Sequence, residues 1–119
     1  MTQRDTSAAL APQVRSLLLS TPRAKLPMTY QQVAIALGLT PPGTIQRVAQ
    51  ALEQLMEEDV AAGQPMVAAL VVSRRGDDLP AAGFFEKAVA LGRFPDDVKQ
   101  HHTRYAEERE RARALNAIG

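Results

Sequence analysis

Apolar residues along this chain recur first at helical spacing and later in one short run. Leu10, Val14, Leu17, Leu18 and Leu19 form a stripe that predicts a helix over Ala8–Ser20, with Pro12 tolerated in its first turn. Thr21-Pro22 and Leu26-Pro27 mark a loop. Thr29 stands three residues before Gln32, the spacing of a capping box, and Val33, Ile35, Ala36 and Leu37 follow. Gly38 is placed to close that second helix in a left-handed conformation. After a tight Pro-rich turn, Leu39 to Gly43, the positions Ile45, Val48, Ala49, Leu52, Leu55, Met56 and Val60 follow the helical period. They predict a third helix over Thr44–Ala62, ended by Gly63.

The pattern then changes. Met66–Val72 is an uninterrupted apolar run between Pro65 and Ser73 and predicts a strand. Gly76, Asp77, Asp78 and Pro80 make the following stretch, Arg74–Ala82, a loop. Phe84–Leu91 reads as a short helix stopped by Gly92, with Phe84 and Phe85 as core. Pro95-Asp96-Asp97 opens a last helix to about Leu115, with acids at its start and arginines near its end, as the helix dipole favours. Its few apolar anchors are Val98, Tyr105, Ala106 and Ala112, so it is expected to pack on an edge, reach a partner or fray.

A short helix, a tight turn and a longer helix make a helix-turn-helix. A strand and a basic loop added behind it make a winged helix. The fold class expected is therefore mainly α (α+β): a winged helix-turn-helix with a sheet of two or three strands and an added C-terminal helix. Residues 1–7 are expected as a disordered tail, 8–95 as the domain and 96–119 as the C-terminal helix.

Composition narrows the function classes. The 119 residues suit one domain, and with few aromatics and no tryptophan the core is expected from Leu, Val, Ile, Ala and Met. The absence of cysteine removes disulfides, thiol nucleophiles and cysteine-ligated zinc. The N-terminus lacks an apolar signal core and the longest apolar run is too short to cross a bilayer, so a cytoplasmic location away from membranes is expected. Fourteen bases face thirteen acids, a net charge of +1, with bases gathered before Pro27 and acids in the middle. That balance counts against tight binding of duplex DNA by one isolated copy.

The residues that carry chemistry lie at the start of the third helix. Thr44, Gln46, Arg47 and Gln50 are polar and fall on its outer face, where a groove-docked helix reads bases: glutamine matches adenine, and arginine matches guanine or phosphate. Arg74 and Arg75 sit where a wing would meet phosphate, and Glu53, Glu57, Glu58 and Asp59 fall where such a helix would leave the DNA. The same Gln and Arg residues are also ordinary on a solvated helix face. Catalytic, cofactor and metal sites are expected to be absent, and no enzyme is expected. His101 and His102 belong to a solvated face even though Asp97 lies one turn before His101, and Asp77-Asp78 solvates a turn. Gly38 to Gly43 lacks the lysine and glycine spacing of a phosphate loop. The leading expectation is a non-catalytic, accessory or regulatory nucleic-acid-binding protein, with DNA as partner and dimerisation as the source of added charge. The alternative is a protein-interaction adaptor using the third helix and the C-terminal helix, whose alternating acids and arginines from Glu107 to Arg113 support a long exposed helix.

Met28-Thr-Tyr-Gln-Gln-Val-Ala-Ile-Ala-Leu-Gly38, followed by Gln46-Arg-Val-Ala-Gln-Ala-Leu52, resembles the winged-helix domain of the alkylguanine-DNA alkyltransferases. Gly63 to Ser73, with Leu79-Pro-Ala-Ala-Gly-Phe84, is similar to small bacterial winged-helix modules that occur alone or beside restriction-type nucleases. The resemblance implies a DNA-binding fold and places Tyr30 near a target phosphate, where packing at the start of the second helix is the competing role. Val71-Val72 match the two valines after the family's Pro-Cys-His-Arg, so Ala68 and Ala69 stand where its cysteine and histidine would be, which removes alkyl transfer. Gln46 replaces the arginine that enters the base stack, with Arg47 one position on, which argues against base flipping.

Overall fold

The structure, a computed structural model, describes residues 6–73 and 78–115. The chain is mainly helical with one small parallel sheet: α1 (Thr6–Ser20), β1 (Met28–Thr29), α2 (Tyr30–Ala36), α3 (Thr44–Ala61), β2 (Val71–Val72), α4 (Ala82–Ala90) and α5 (His101–Arg113). Helix α1 begins at Thr6 rather than Ala8, which puts Pro12 beyond the first turn, on the exposed side of the helix. Its Leu10, Val14 and Leu18 are buried against α3.

The capping box expected at Thr29 is present. The Thr29 hydroxyl accepts from the Gln32 amide at 3.0 Å, and the Gln32 side-chain oxygen accepts from the Thr29 amide at 2.9 Å. Gly38, at φ +72, turns the chain out of α2. With only seven residues, α2 depends on its caps, so Thr29→Ala is expected to cost about 1 kcal/mol, measurable as a shift of the urea midpoint at constant slope. An unchanged midpoint would show that packing of Val33 and Ala34 alone holds α2.

Helix α3 buries Val48, Ala51, Leu52, Leu55, Met56 and Asp59. Ile45, expected as an inward anchor, is instead 44% exposed. It lies in the first turn, and the inward stripe begins only at Val48.

The segment from Met66 to Val72 runs through the middle of the core, and each of its residues is at most 4% exposed. It is not the strand the apolar run predicts. Val67–Leu70 forms a 3₁₀ turn and only Val71–Val72 is extended, pairing in parallel with β1 in the register Met28↔Val71 and Thr29↔Val72. The reason lies in its amide groups. The Met66 amide donates to Glu108 at 2.7 Å and the Val67 amide to Asp59 at 3.0 Å, so side chains take the place of a neighbouring strand.

Helix α5 closes this core rather than standing off it. It starts later than expected, after a separate 3₁₀ turn, Val98–Gln100, whose N-cap is Asp97. Tyr105, Glu108 and Ala112 are buried, whereas the expected anchors Val98 and Ala106 are exposed. The core also has an aromatic end that the low aromatic content does not foretell. The Phe84 ring meets Phe94 at 5.8 Å and Tyr105 at 5.7 Å, both edge-on, and Phe85 stacks on His101 at 5.5 Å and 3°.

Candidate nucleic-acid interface

The first two turns of α3 stay fastened to the core through Val48, while most of their other side chains are exposed. Gly43, in a left-handed conformation at φ +76, redirects the chain, and Arg47 donates its amide to the Gly43 carbonyl at 3.0 Å to begin the helix. Gly43 has no side chain to cap the first amides, and no acid occupies the first turn. This end of α3 therefore carries the positive pole of the helix dipole unopposed by a neighbouring carboxylate on its own turn. Gln46, Arg47 and Gln50 are exposed, and Thr44 is half-buried. Among the described residues Arg47 enters no ion pair. Helical spacing puts Gln46 and Gln50 one above the other, with Arg47 alongside.

Of the later acids of α3, Glu57, Glu58 and Asp59 are tied down by bases from other elements, whereas Glu53 enters no ion pair among the described residues. Glu58 pairs with Arg15 at 3.1 Å, and Lys87 of α4 pairs with Glu57. Asp59, the last of the acids placed where the helix would leave DNA, is 3% exposed and holds Arg15 at 2.8 Å as well as the Val67 amide. Burial opposes the charge on Arg15, but hydrogen bonding and attraction from Asp59, and then Glu58, prevail and raise its pKa above the ordinary arginine value. Arg15 thus neutralises α3 rather than adding to a free basic segment. Its role, and that of Lys87, are invisible in the sequence because the partners lie 43 and 30 residues away.

The remaining candidates divide. The Tyr30 hydroxyl accepts from the Ala81 amide at 3.0 Å, which fastens the start of α4 to the start of α2. Tyr30 thereby packs the start of α2. Arg74 and Arg75, with Asp77, lie outside the described residues. Ala68 and Ala69, at the positions matched to the alkyltransferase cysteine and histidine, are 1% and 0% exposed. The Tyr105 hydroxyl donates to the Ala69 carbonyl at 2.7 Å, so α5 covers that place.

His101 is not part of a solvated face. It is 8% exposed, stacked on Phe85, with its Nε2 at 2.8 Å from the Pro95 carbonyl, while His102 is exposed. Asp97 accepts from the Lys99 amide as a cap. Among the described residues no three His, Asp or Glu side chains gather as a metal ion would require, and no helix is long and apolar enough to cross a membrane.

The architecture places a polar, carboxylate-poor helix start on a frame held by buried charges. No protein-family model, curated protein or solved structure matches the chain.

Proposed function

We propose that this chain is a winged-helix DNA-binding module without catalytic activity, in which the start of α3 enters a groove of the duplex. The observation that carries this reading is the outward face of Gln46, Arg47 and Gln50, exposed and free of acids in the first turn, on a helix whose Val48, Leu52 and Leu55 are fully fastened. Gln46 and Gln50 supply paired donors and acceptors for base edges, and Arg47 supplies a phosphate or guanine contact. The internal pairing of Glu57, Glu58 and Asp59 supports the same reading, because it reduces the repulsion those acids would otherwise exert on a phosphate backbone. The likeness of residues 28–38 and 46–52 to the alkyltransferase DNA-binding domain points the same way, with Arg74 and Arg75 as the wing's backbone contacts. An adaptor reading has less to draw on, since α5 commits its Tyr105–Glu108–Ala112 stripe to the core.

A salt titration of binding to random duplex DNA tests this. The logarithm of affinity should fall linearly with that of salt concentration, and Arg47→Ala should reduce the slope by about 1 and weaken binding by about 1–3 kcal/mol. Arg47→Ala combined with Arg74→Ala should abolish retardation in a gel at low salt. Arg47 is exposed and unpaired among the described residues, so its loss should move stability by no more than about 0.5 kcal/mol. Unchanged retardation by the double variant refutes the proposal.

A further inference from the structure

The most exposed large apolar side chain among the described residues is Val98, at 74%. It does not ride on a loose segment. It opens the 3₁₀ turn Val98–Gln100, which Asp97 caps through a 3.0 Å bond from the Lys99 amide. Val98 stands on the lip of a groove of about 550 Å³ between α4 and the start of α5, floored by Phe85, Val89 and His101. Glu86 and Asp96 also line it, and Lys99 follows Val98 directly. Among the described residues none of Glu86, Asp96 and Lys99 is in an ion pair.

We propose that this groove is the face through which two copies of the chain pair about a two-fold axis, Val98 of each seated in the groove of the other. A two-fold contact presents the same patch from both sides, so the patch must complement itself. This one holds an apolar projection beside an apolar recess, and unpaired acids beside an unpaired base. A basic, apolar peptide would satisfy Glu86 and Asp96 but leave Lys99 facing like charge. A second copy offers Lys99 to the acids and Val98 to the recess together. The groove lies on the far side of α4 from the Lys87–Glu57 pair, and Glu57 is ten residues beyond Arg47, about 15 Å along α3. Pairing here leaves the start of α3 uncovered, and it stands independently of whether α3 binds DNA.

Sedimentation of the full chain, without nucleic acid, from low to several hundred micromolar should show a reversible monomer–dimer equilibrium. Val98→Asp should weaken dimerisation at least tenfold while leaving the circular dichroism and the thermal transition of the dilute monomer unchanged, because the side chain is exposed in a single copy. The chain contains no cysteine, so Val98→Cys introduces a single thiol. Val98 lines the groove it enters, which brings the two thiols together near the axis. Mild oxidation should therefore give a disulfide-linked dimer, whereas Ala61→Cys, on the exposed end of α3, should not. A chain that stays monomeric throughout, a dimer indifferent to Val98→Asp, or cross-linking no greater for Val98→Cys than for Ala61→Cys overturns the proposal.

Discussion

Truncation of Glu108 to alanine is expected to lower the unfolding free energy by about 3–5 kcal/mol, which is a large share of the roughly 5–15 kcal/mol that holds a domain of this size together. The carboxylate is 1% exposed and accepts from the Met66 amide at 2.7 Å and from Arg93 at 2.7 Å, with Arg111 at 3.6 Å. Its removal orphans a fully buried amide in the central segment and leaves a cavity beside it. Arg93 keeps 22% of its side chain in water and bonds the Gln64 carbonyl, so its share of the loss is the smaller one. Glu108→Gln preserves an acceptor for Met66 but no charge for Arg93, and should cost about half as much. Urea titration of both variants measures this. A loss below about 1 kcal/mol for the alanine variant would show that the carboxylate does not hold the turn.

Tyr105 should produce the second large effect, and it carries a pH signature. The ring is 2% exposed, packed edge-on against Phe84, and its truncation to alanine should cost about 3–5 kcal/mol. Burial pushes its phenol up to about 12, against the pull of Arg109, whose guanidinium lies 5.4 Å from the ring centroid. The folded pKa stands above the unfolded value near 10, so folding favours the protonated phenol. The stability this confers is complete below pH 10 and is lost as pH rises through 12, about 3 kcal/mol across the two units. Tyr105→Phe should cost about 1 kcal/mol at neutral pH, through the lost bond to Ala69, and should remove that alkaline decline. Urea denaturation of the native chain and of the Tyr105→Phe variant, repeated at intervals from about pH 8 to about pH 12, gives the two stability curves whose difference is the readout. Parallel curves would place the alkaline loss elsewhere.

Much of the helical frame is legible in the residues. The capping box at Thr29, the left-handed Gly38 and the buried Val48–Leu52–Leu55 stripe follow from local rules, because each depends on neighbours within one or two turns. The outward turn of Gln46, Arg47 and Gln50 follows from that stripe in the same way. Ile45 fails because amphipathic periodicity describes a helix face and not how far along the helix its neighbours extend. Met66–Val72 fails as a strand because burial on every side looks the same for an extended run and for a 3₁₀ turn.

Charge is where local reading had least purchase. Asp59 and Glu108 sit in acid-rich stretches that look uniformly solvated, yet both are buried, and each is held by an arginine from another element or loop, Arg15 from 44 residues away and Arg93 from 15. His101 likewise left the surface through its contacts with Phe85 and Pro95. The order of helices, the Thr29 and Gly38 caps of α2 and the polar start of α3 were determined by the amino-acid sequence alone, since short-range sterics and periodicity suffice for them. Which carboxylates are interior, how the central segment satisfies its amides, and that α5 seals Ala69 were decided only by tertiary structure. Those outcomes depend on groups from 8 residues apart, for Val67 and Asp59, to 44 apart, for Arg15 and Asp59, meeting where water is excluded, and helical or strand periodicity does not encode such a meeting.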